Sequence, residues 1–322
     1  MRTRLKMLAM LGIGVLCAPA FGAVPAHPGT LNYVEGAAFI GDRQLQTKDV
    51  GSVDLNPGQV LSTTTGKAEM LLTPGIFFRL DDNSAVKMVS PDLIKTRVEL
   101  EHGRAAVEVD QIYPQNDLEI VDAGVVTQLI KPGYYEFDAN QPTAMVFEGK
   151  AAVEVADGKY KVLKDHHEFA LVQSGNGKPI ATEKPAKFDT GKVADDLYNW
   201  NSLRSQYLAE GNNQIAGEYA NAPNFDPGWY WDPYMWDYTF IGMNPYFSPF
   251  GFGFFPPWYG GFYGGYFGGG YYGGHYRGGP ARPGHGGMSR GAGTRGNGFG
   301  GIRGGAGGGF GGGGGGRGGG HR

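Results

Sequence analysis

Apolar and polar residues alternate through most of the first half of the chain. The stretch 97–109, RVELEHGRAAVEV, places Val98 and Leu100 on one side and Arg97 and Glu99 on the other, and the alternation resumes after Gly103. A period of two residues is typical of strands with one buried face. Turn-forming pairs such as Pro-Gly and Asp-Gly separate these segments. Further strands are predicted at 30–41, 68–73, 76–80, 85–89, 118–121, 125–130, 134–138, 143–147, 150–155 and 160–163.

These short strands predict an all-β domain over residues 27–175, folded as a sandwich or roll or as a twisted β-solenoid. Three segments repeat weakly: YVEGAAFI at 33–40, LEHGRAAVEV at 100–109 and FEGKAAVEV at 147–155. Each places a glycine before a strand that begins with small residues. A recurring hairpin turn with glycine at positive φ explains the repeat better than stacked coils, because the spacing is not constant.

A helical period appears only after this domain. Residues 176–220 are interpreted as a linker followed by an amphipathic helix at 192–210, where apolar residues recur every three to four positions. Gly211 is expected to end the helix. The helix is expected to dock Trp200 and Tyr207 onto the sheet; the alternative is that this face binds a partner.

Aromatic residues dominate the next segment, 221–276. From Asn224 to Tyr276, 23 of 53 residues are Phe, Trp or Tyr, with no strand or helix period long enough to fold alone. The segment is expected to be a sticky or self-associating surface or to be disordered. A sugar-stacking platform is a further alternative, weakened because rings on a flexible chain are not preorganised. The candidate interaction residues of the helix and this segment are Trp200, Tyr207, Trp229, Trp231, Trp236 and Trp258.

The composition of residues 277–322 predicts a disordered tail rich in glycine and arginine. Of the 58 glycines in the chain, 34 lie between Gly260 and Gly320, too many for the segment to bury a core. Seven arginines and no Asp, Glu or Lys follow Tyr238, whereas residues 24–237 hold 18 basic and 31 acidic residues. The acidic body argues against nucleic acid as a partner, and the basic tail favours anionic envelope surfaces.

The first 22 residues have the pattern of a secretory signal peptide. Arg2, Arg4 and Lys6 precede an apolar run from Met7 to Ala18, which is too short for a membrane span and is followed by small residues. The protein is therefore expected to be exported, to the periplasm or surface of a bacterial cell, without a transmembrane helix in the mature chain. Cys17 raises a lipoprotein alternative, although Leu16 stands where a lipobox has a small residue.

No arrangement typical of catalysis or cofactor binding is found. His166 and His167 are adjacent, so on a strand they would point to opposite faces instead of sharing a metal ion. The turn 81–84, Asp-Asp-Asn-Ser, lacks the spacing and closing Glu of a calcium loop. We therefore expect a protein that is not an enzyme and holds no metal or cofactor.

An ordered set of weak motifs resembles the FecR-like periplasmic domain, the extracytoplasmic part of bacterial iron-siderophore signalling regulators. The resemblance covers about 130 residues and implies an all-β extracytoplasmic module that contacts proteins or other envelope components. Those regulators carry a cytoplasmic anti-sigma segment and a membrane span before this domain; here a signal peptide stands in that place, so control of a sigma factor is not implied. The matching motifs are Gly36, PGQVLST at 57–63, RLDDNSAVKM at 79–88, the segment 100–109, VVT at 125–127, YYEF at 134–137 and the segment 146–155.

Two functions follow as hypotheses. The first is a binding or scaffold module of the cell envelope with an adhesive tail, whose partners are envelope proteins or the anionic envelope surface. The second is a periplasmic regulatory component of an uptake or stress signalling pathway. The sequence predicts neither the ligand nor the oligomeric state.

Overall fold

The computed structural model describes residues 25–156, 158–173, 179–181, 184–222 and 224–259. The chain divides into a compact unit from Met1 to Gly269 and a second unit from Gly270 to Arg322, and every described residue belongs to the first. The predicted signal peptide and the glycine–arginine tail lie outside the described residues, as does the aromatic stretch 260–276.

Within the described residues, the strand-dominated fold predicted from the alternation is confirmed. Sixteen strands form one sheet, and the predicted strands agree with observed ones to within a few residues, although β3 begins well before its predicted start. Strands β2, β14, β15 and β16 were not predicted. The strands are β1 (Leu31–Ile40), β2 (Arg43–Gln44), β3 (Val60–Leu71), β4 (Ile76–Leu80), β5 (Ala85–Pro91), β6 (Lys95–His102), β7 (Arg104–Val109), β8 (Asp117–Asp122), β9 (Val125–Leu129), β10 (Gly133–Asp138), β11 (Thr143–Glu148), β12 (Lys150–Ala156), β13 (Lys159–Lys164), β14 (His167–Gln173), β15 (Pro179–Ala181) and β16 (Ala186–Lys187).

The sheet has two halves joined by the long strand β3. Its order is β13-β12-β9-β8-β6-β5-β3-β4-β7-β10-β11-β14-β15, with β1 and β2 beside β3 and β16 beside β14. The first residues of β3 pair with β5 and its last residues pair with β4. All neighbours are antiparallel except β6 and β8. The pattern does not match the β-solenoid alternative, whose coils stack in parallel.

One hydrophobic core lies between the two halves. Val98 and Ile120 from the first half and Phe78 and Val107 from the second belong to the same buried cluster. The alternation of the sequence therefore reflects a sandwich-like arrangement in which most strands turn one face to this shared core.

Two of the three glycines of the weak repeat lie between strands of different parts of the sheet, whereas Gly36 lies inside β1, opposite Gly66 of β3. Gly103 separates β6 from β7, but β6 pairs with β5 and β8 whereas β7 pairs with β4 and β10. Gly149 separates β11 from β12 in the same way. The hairpin interpretation of these two positions is therefore wrong: the chain passes there from one half of the sheet to the other. Gly103 has a φ of +77°, and a side chain would overlap Ser84.

A third layer covers the outer face of β3, β4, β7 and β10. It contains a short helix α1 (Thr190–Val193), the long helix α2 (Asp196–Glu218), the hairpin β17 (Gly228–Asp232) and β18 (Asp237–Ile241), and the small pair β19 (Tyr246–Phe247) and β20 (Gly253–Phe254). Two 3-10 turns lie at Thr47–Asp49 and Pro257–Tyr259. In the described part of the chain, no helix is long and apolar enough to cross a membrane.

The long helix differs in its limits from the prediction 192–210. It begins after Asp195, whose carboxylate accepts hydrogen bonds from the backbone N–H groups of Leu197 and Tyr198. It continues past Gly211 to Glu218. Gly211 packs against Asp232 of β17, and a side chain at this position would have to displace the Asp232 carboxylate. Gly211 is therefore a packing residue and not the end of the helix.

The aromatic segment also differs from the expectation, since its described residues, 224–259, form a hairpin and a second short strand pair. Its hairpin does not fold alone. Tyr238 and Phe240 are buried in one cluster with Leu71 and Phe77 of the sheet and Leu208 of α2. The sheet supplies the apolar surface that an isolated two-stranded hairpin lacks.

Candidate functional site

Three charged side chains stand together on the outer face of the sheet. Glu69 on β3, Arg79 on β4 and Glu108 on β7 have fully buried side chains. The Arg79 guanidinium donates from Nε to Glu69 at 2.6 Å and from Nη1 to Glu108 at 2.5 Å. Because β4 lies between β3 and β7, one arginine links three neighbouring strands.

Helix α2 completes this buried network from above. Arg204 donates from Nη2 to Glu69 and to Asp237 of β18, both at 2.9 Å. Asn201 accepts a hydrogen bond from Arg79 at 3.1 Å, and the Ser205 hydroxyl donates to Glu108 at 2.6 Å. Sheet, helix and hairpin are therefore joined by one set of polar contacts.

The hairpin is also joined to the first strand. The Asn32 side chain donates to the backbone oxygen of Tyr238 at 3.0 Å and accepts from its N–H at 2.7 Å. The same amide group donates to Glu69 at 2.7 Å. The Asn32 side chain thus bonds the backbone of β18 in the way that a neighbouring strand would, and it connects β18 to the buried network.

Burial and ion pairing act in opposite directions on these carboxyl groups. Burial alone would raise the pKa of Glu69, but the charges of Arg204 and Arg79 outweigh it and lower the pKa to about 2. Burial raises the pKa of Asp237 to about 6 despite the opposing charge of Arg204. Buried ion pairs add little net stability over an apolar interface, but they leave a large penalty if one partner is removed. We conclude that the network fixes how the third layer sits on the sheet.

Other carboxyl groups with displaced pKa values are also inside the protein. Burial raises the pKa of Glu136 to about 7, although Tyr134 donates to its carboxylate at 2.6 Å. Burial, followed by the charge of Asp138, raises the pKa of Asp122 to about 7. Burial raises the pKa of Asp110, to which the Tyr246 hydroxyl donates at 3.1 Å. All three carboxyl groups are buried in the packed interior.

Two of the candidate tryptophans hold the hairpin in place. The ring of Trp229 lies between Phe77 of the sheet and Phe240 of β18, with centroid distances of 5.0 and 5.7 Å. Trp231 packs edge to face on Tyr238 and lies against Gly51, which has no room for a side chain. These two residues are partly buried and belong to the packing of the third layer.

The other two tryptophans of the hairpin region are exposed. Trp236 is 62% exposed and Trp258 is 55% exposed, while Tyr234 and Phe247 exceed 70%. Trp236 has a φ of +57°, a left-handed conformation that is rare for a bulky side chain. Strained backbone conformations of this kind are common at functional sites.

The two candidates on α2 have different surroundings. Trp200 is half-buried, with its ring 6.2 Å from that of Tyr33 on β1 and the Lys67 ammonium 5.7 Å from its centroid. Tyr207 is half-buried. The fully buried face of the helix is formed instead mostly by polar and small residues: Leu197, Asn201, Arg204, Ser205, Leu208, Ala209, Gly211, Asn212, Ile215 and Ala216.

Sequence reasoning missed the buried network because charged residues on strands are normally read as solvent-facing. One signal was available: Arg79 interrupts the apolar run 76–80, where every residue is buried. Glu108 lies in a similar run, 104–109. A charged residue within a run that is apolar on both sides indicates a strand covered on both faces.

The two adjacent histidines contact different partners. His166 Nδ1 lies 3.2 Å from the Thr190 hydroxyl, and His167 Nδ1 lies 2.7 Å from the backbone oxygen of Asp165. Within the described residues, no three His, Cys, Asp or Glu side chains are grouped as metal ligands. The segment 81–84 connects β4 to β5, and its Asp81 pairs with Lys67.

An open groove of about 480 Å³ lies beside β1 and β2, on the segments 40–43 and 52–59. Its lining is mostly polar. The residues that line it are Ile40, Arg43, Ser52, Val53, Asp54, Asn56 and Gln59.

Comparison with solved structures gives a distant likeness. No protein-family model matches the chain, and no curated protein matches it. Two crystal structures of a candidate anti-sigma factor from Parabacteroides distasonis ATCC 8503, at 2.50 and 1.65 Å resolution, are similar to it with 16% identity and a TM-score of 0.35. The match covers 42% of this chain and 62% of that protein, less than two thirds of its length. A likeness of this strength assigns neither family nor function, so function is argued from the residues.

Proposed function

We propose that this chain is a non-enzymatic, exported protein of the bacterial cell envelope. Its FecR-like β-body serves as a binding or scaffold module, and its C-terminal layer and tail attach it to an envelope surface. Export rests on the signal-peptide pattern of residues 1–22.

The observation that carries the proposal is the exposure of large aromatic side chains on an ordered layer. Tyr234, Trp236, Phe247 and Trp258 are exposed, whereas Trp229 and the buried network hold the layer to the sheet. Aromatic residues on a fixed surface lose little conformational entropy on binding, and Tyr and Trp are favoured at interfaces. This surface is suited to adhesion.

Charge supports the same assignment. The segment that follows the layer contains seven arginines and no acidic residue. A cationic segment in the same chain as the exposed aromatic rings would add attraction to anionic groups, and salt would screen that part of the binding.

The distribution of titratable groups favours a non-enzymatic role. The carboxyl groups whose pKa values are raised most, including those of Asp110, Asp122 and Glu136, are buried in the packed interior and do not line the open groove. Catalytic acids and bases need access to a substrate.

The test is sedimentation of the full chain with isolated envelope fractions. One variant replaces the four exposed aromatic residues of the layer: Tyr234→Ser, Trp236→Ser, Phe247→Ser and Trp258→Ser. A matched control replaces four exposed apolar residues of the β-body: Leu93→Ser, Ile94→Ser, Tyr113→Ser and Tyr160→Ser. Circular dichroism checks that both chains fold.

We expect the layer variant to bind at least about tenfold more weakly, and the control to bind like the unchanged chain. Loss of binding in the control alone would contradict the adhesive layer and place the interaction on the β-body. That result would favour the periplasmic regulatory role, and cross-linking with mass spectrometry would then identify the protein partner.

A further inference from the structure

Buried carboxyl groups outnumber buried guanidinium groups where the third layer meets the sheet. Arg104 adds one cation at the margin, where its side chain is 29% exposed, and the buried carboxyl group of Asp81 pairs with Lys67. If all these groups were ionised, the interface would hold a net negative charge in a low-dielectric interior, which is unfavourable. The other buried carboxyl groups are Glu69, Glu108, Asp110, Glu136, Asp232 and Asp237, and the buried guanidinium groups are Arg79 and Arg204.

Asp237 shares its counter-charge with another carboxylate. One nitrogen of Arg204, Nη2, donates both to Asp237 and to Glu69, at 2.9 Å in each case. Across the hairpin, Asp237 of β18 is paired with Asp232 of β17. Burial raises the pKa of Asp237 to about 6 despite Arg204, and the negative charges of Glu69 and Asp232 contribute to the rise.

Glu136 on β10 is in a similar situation near the start of helix α2. Arg104 Nη2 lies 3.3 Å from its carboxylate, but Nη1 of the same guanidinium donates at 2.6 Å to Asp195, which caps the helix. Tyr134 donates to Glu136 at 2.6 Å, and Tyr198 of the helix lies near the same carboxylate. Burial raises the pKa of Glu136 to about 7, and the charge of Asp195 contributes to the rise.

We propose that the third layer is docked firmly when Glu136 and Asp237 are protonated and loosens when both become charged. Separation of the layer from the sheet would bring both carboxyl groups into water, where they ionise at a lower pH. Because the docked state holds these protons to a higher pH than the separated state, their contribution to docking is greatest below about pH 4 and is lost as the pH rises through about 6 to 7. The exposed aromatic residues of the layer would then be held on a fixed surface mainly under acidic conditions, a consequence that rests on the proposed function.

Hydrogen–deuterium exchange of the full chain tests this inference. The backbone N–H groups of 196–218 and 228–241 report on the third layer, and those of 117–122 report on strand β8 in the other half of the sheet. We expect protection of the layer to fall at least about tenfold between about pH 5 and about pH 8, after correction for the intrinsic exchange rate. Strand β8 should stay better protected than the layer at both pH values, because the layer separates without unfolding of the sheet.

The variant Glu136→Gln with Asp237→Asn keeps both side chains neutral at every pH, so it should remove most of this fall in protection. Asp122→Asn is the matched control, because Asp122 is also a buried carboxyl group with a raised pKa but lies on β8, outside the layer. It should leave the fall unchanged within about twofold. Circular dichroism checks that each variant folds. If the double variant does not fold, the two single substitutions replace it, and each should remove part of the fall.

Three results would overturn the inference. The first is protection of the layer that does not change between the two pH values. The second is an equal fall in the unchanged chain and in the variants of Glu136 and Asp237. The third is equal protection of the layer and of strand β8 at both pH values, since the layer would then not open by itself.

Failure of this inference is distinguishable from failure of the proposed function, because the exchange measurement needs no envelope. Sedimentation with envelope fractions is therefore repeated at both pH values. If the layer loosens at the higher pH but the chain sediments at neither, the adhesive role is wrong. If the chain sediments at both but protection of the layer does not depend on pH, only the inference about docking is wrong.

Discussion

Arg79 places a positive charge in the middle of the interface between the sheet and helix α2. Its side chain has no exposure to solvent and bridges two carboxylates. A buried guanidinium of this kind is sensitive to any loss of a partner, because the remaining charges stay in a low-dielectric interior.

We therefore expect Arg79→Met to destabilise the protein by about 3–5 kcal/mol, because Glu69 and Glu108 would be left buried without their main counter-charge. Lys87→Met is the control, since Lys87 and Glu99 are about 40% exposed and 3.9 Å apart. That change should cost less than about 1 kcal/mol. Urea denaturation measures both, and equal losses would contradict the role assigned to Arg79.

The buried carboxyl group of Asp122 leads to a prediction about how stability depends on pH. Its pKa is raised from 3.8 to about 7 in the folded protein, so between about pH 4 and 7 the folded state holds a proton that the unfolded state has lost. The contribution of this group to the free energy of unfolding is greatest below about pH 4 and is lost as the pH rises through about 7. Asp122→Asn should reduce the slope of unfolding free energy against pH by up to about 1.4 kcal/mol per unit between pH 5 and 7. An unchanged slope would show that Asp122 ionises normally in the folded state.

Helix α2 contains two glycines in contrasting positions. A Cβ at Gly211 would come within 2.8 Å of an Asp232 carboxylate oxygen, whereas a Cβ at Gly217 would meet open space. Alanine favours a helix over glycine by about 1 kcal/mol when nothing else changes.

Gly217→Ala should therefore raise the unfolding free energy by up to about 1 kcal/mol, less if the last turn frays. Gly211→Ala should lower it, because the methyl group pushes β17 away from the helix and weakens the contacts of the third layer. Thermal unfolding of the two variants compares them directly. Stabilisation by both substitutions would mean that the helix and the hairpin pack more loosely than the structure indicates.

Elements that turn one polar face to solvent could be predicted from the sequence, and elements covered on both faces could not. Strand β6 shows clean alternation, with Val98 and Leu100 buried between more exposed neighbours, and was predicted closely. The hairpin β17–β18 was missed because six of its ten strand residues are aromatic or isoleucine, which hides a period of two.

The arrangement of the candidate site could not be predicted from local sequence patterns either. Trp229, Trp231 and Trp236 were selected by composition alone. Their different roles, two in packing and one exposed, depend on Phe77, Gly51 and a turn conformation that no local pattern gives. Arg204 and Asp237 meet Glu69 only after the chain has folded, so their pairing has no signature at any fixed spacing.

The described residues of the chain form one large sheet with a covering layer, and Tyr259 is the last of them. A chain that ends at Tyr259 should melt within about 2 °C of the full chain, because 34 of the 63 residues that it lacks are glycine and such a segment contributes little apolar burial. A chain that ends at residue 222 should melt more than about 10 °C lower. It loses Phe240 from the cluster around Phe77 and leaves Arg204 without Asp237. Calorimetry of the two truncations tests this, and equal melting temperatures would mean that the hairpin is not part of the core.

The charged outer face of the sheet has a consequence for how the protein is made. Synthesis proceeds from the N-terminus, so Glu69, Arg79 and Glu108 leave the ribosome well before Arg204 and Asp237 exist. An unfinished chain therefore displays carboxylates and a guanidinium where a purely apolar face would attract other nascent chains. We therefore expect the residues that hold the third layer in the finished protein also to keep the unfinished chain in solution, with docking of that layer as the last step of folding. We expect chains stalled at residue 190 to remain soluble but protease-sensitive, and chains stalled with residue 259 outside the ribosome to resist digestion.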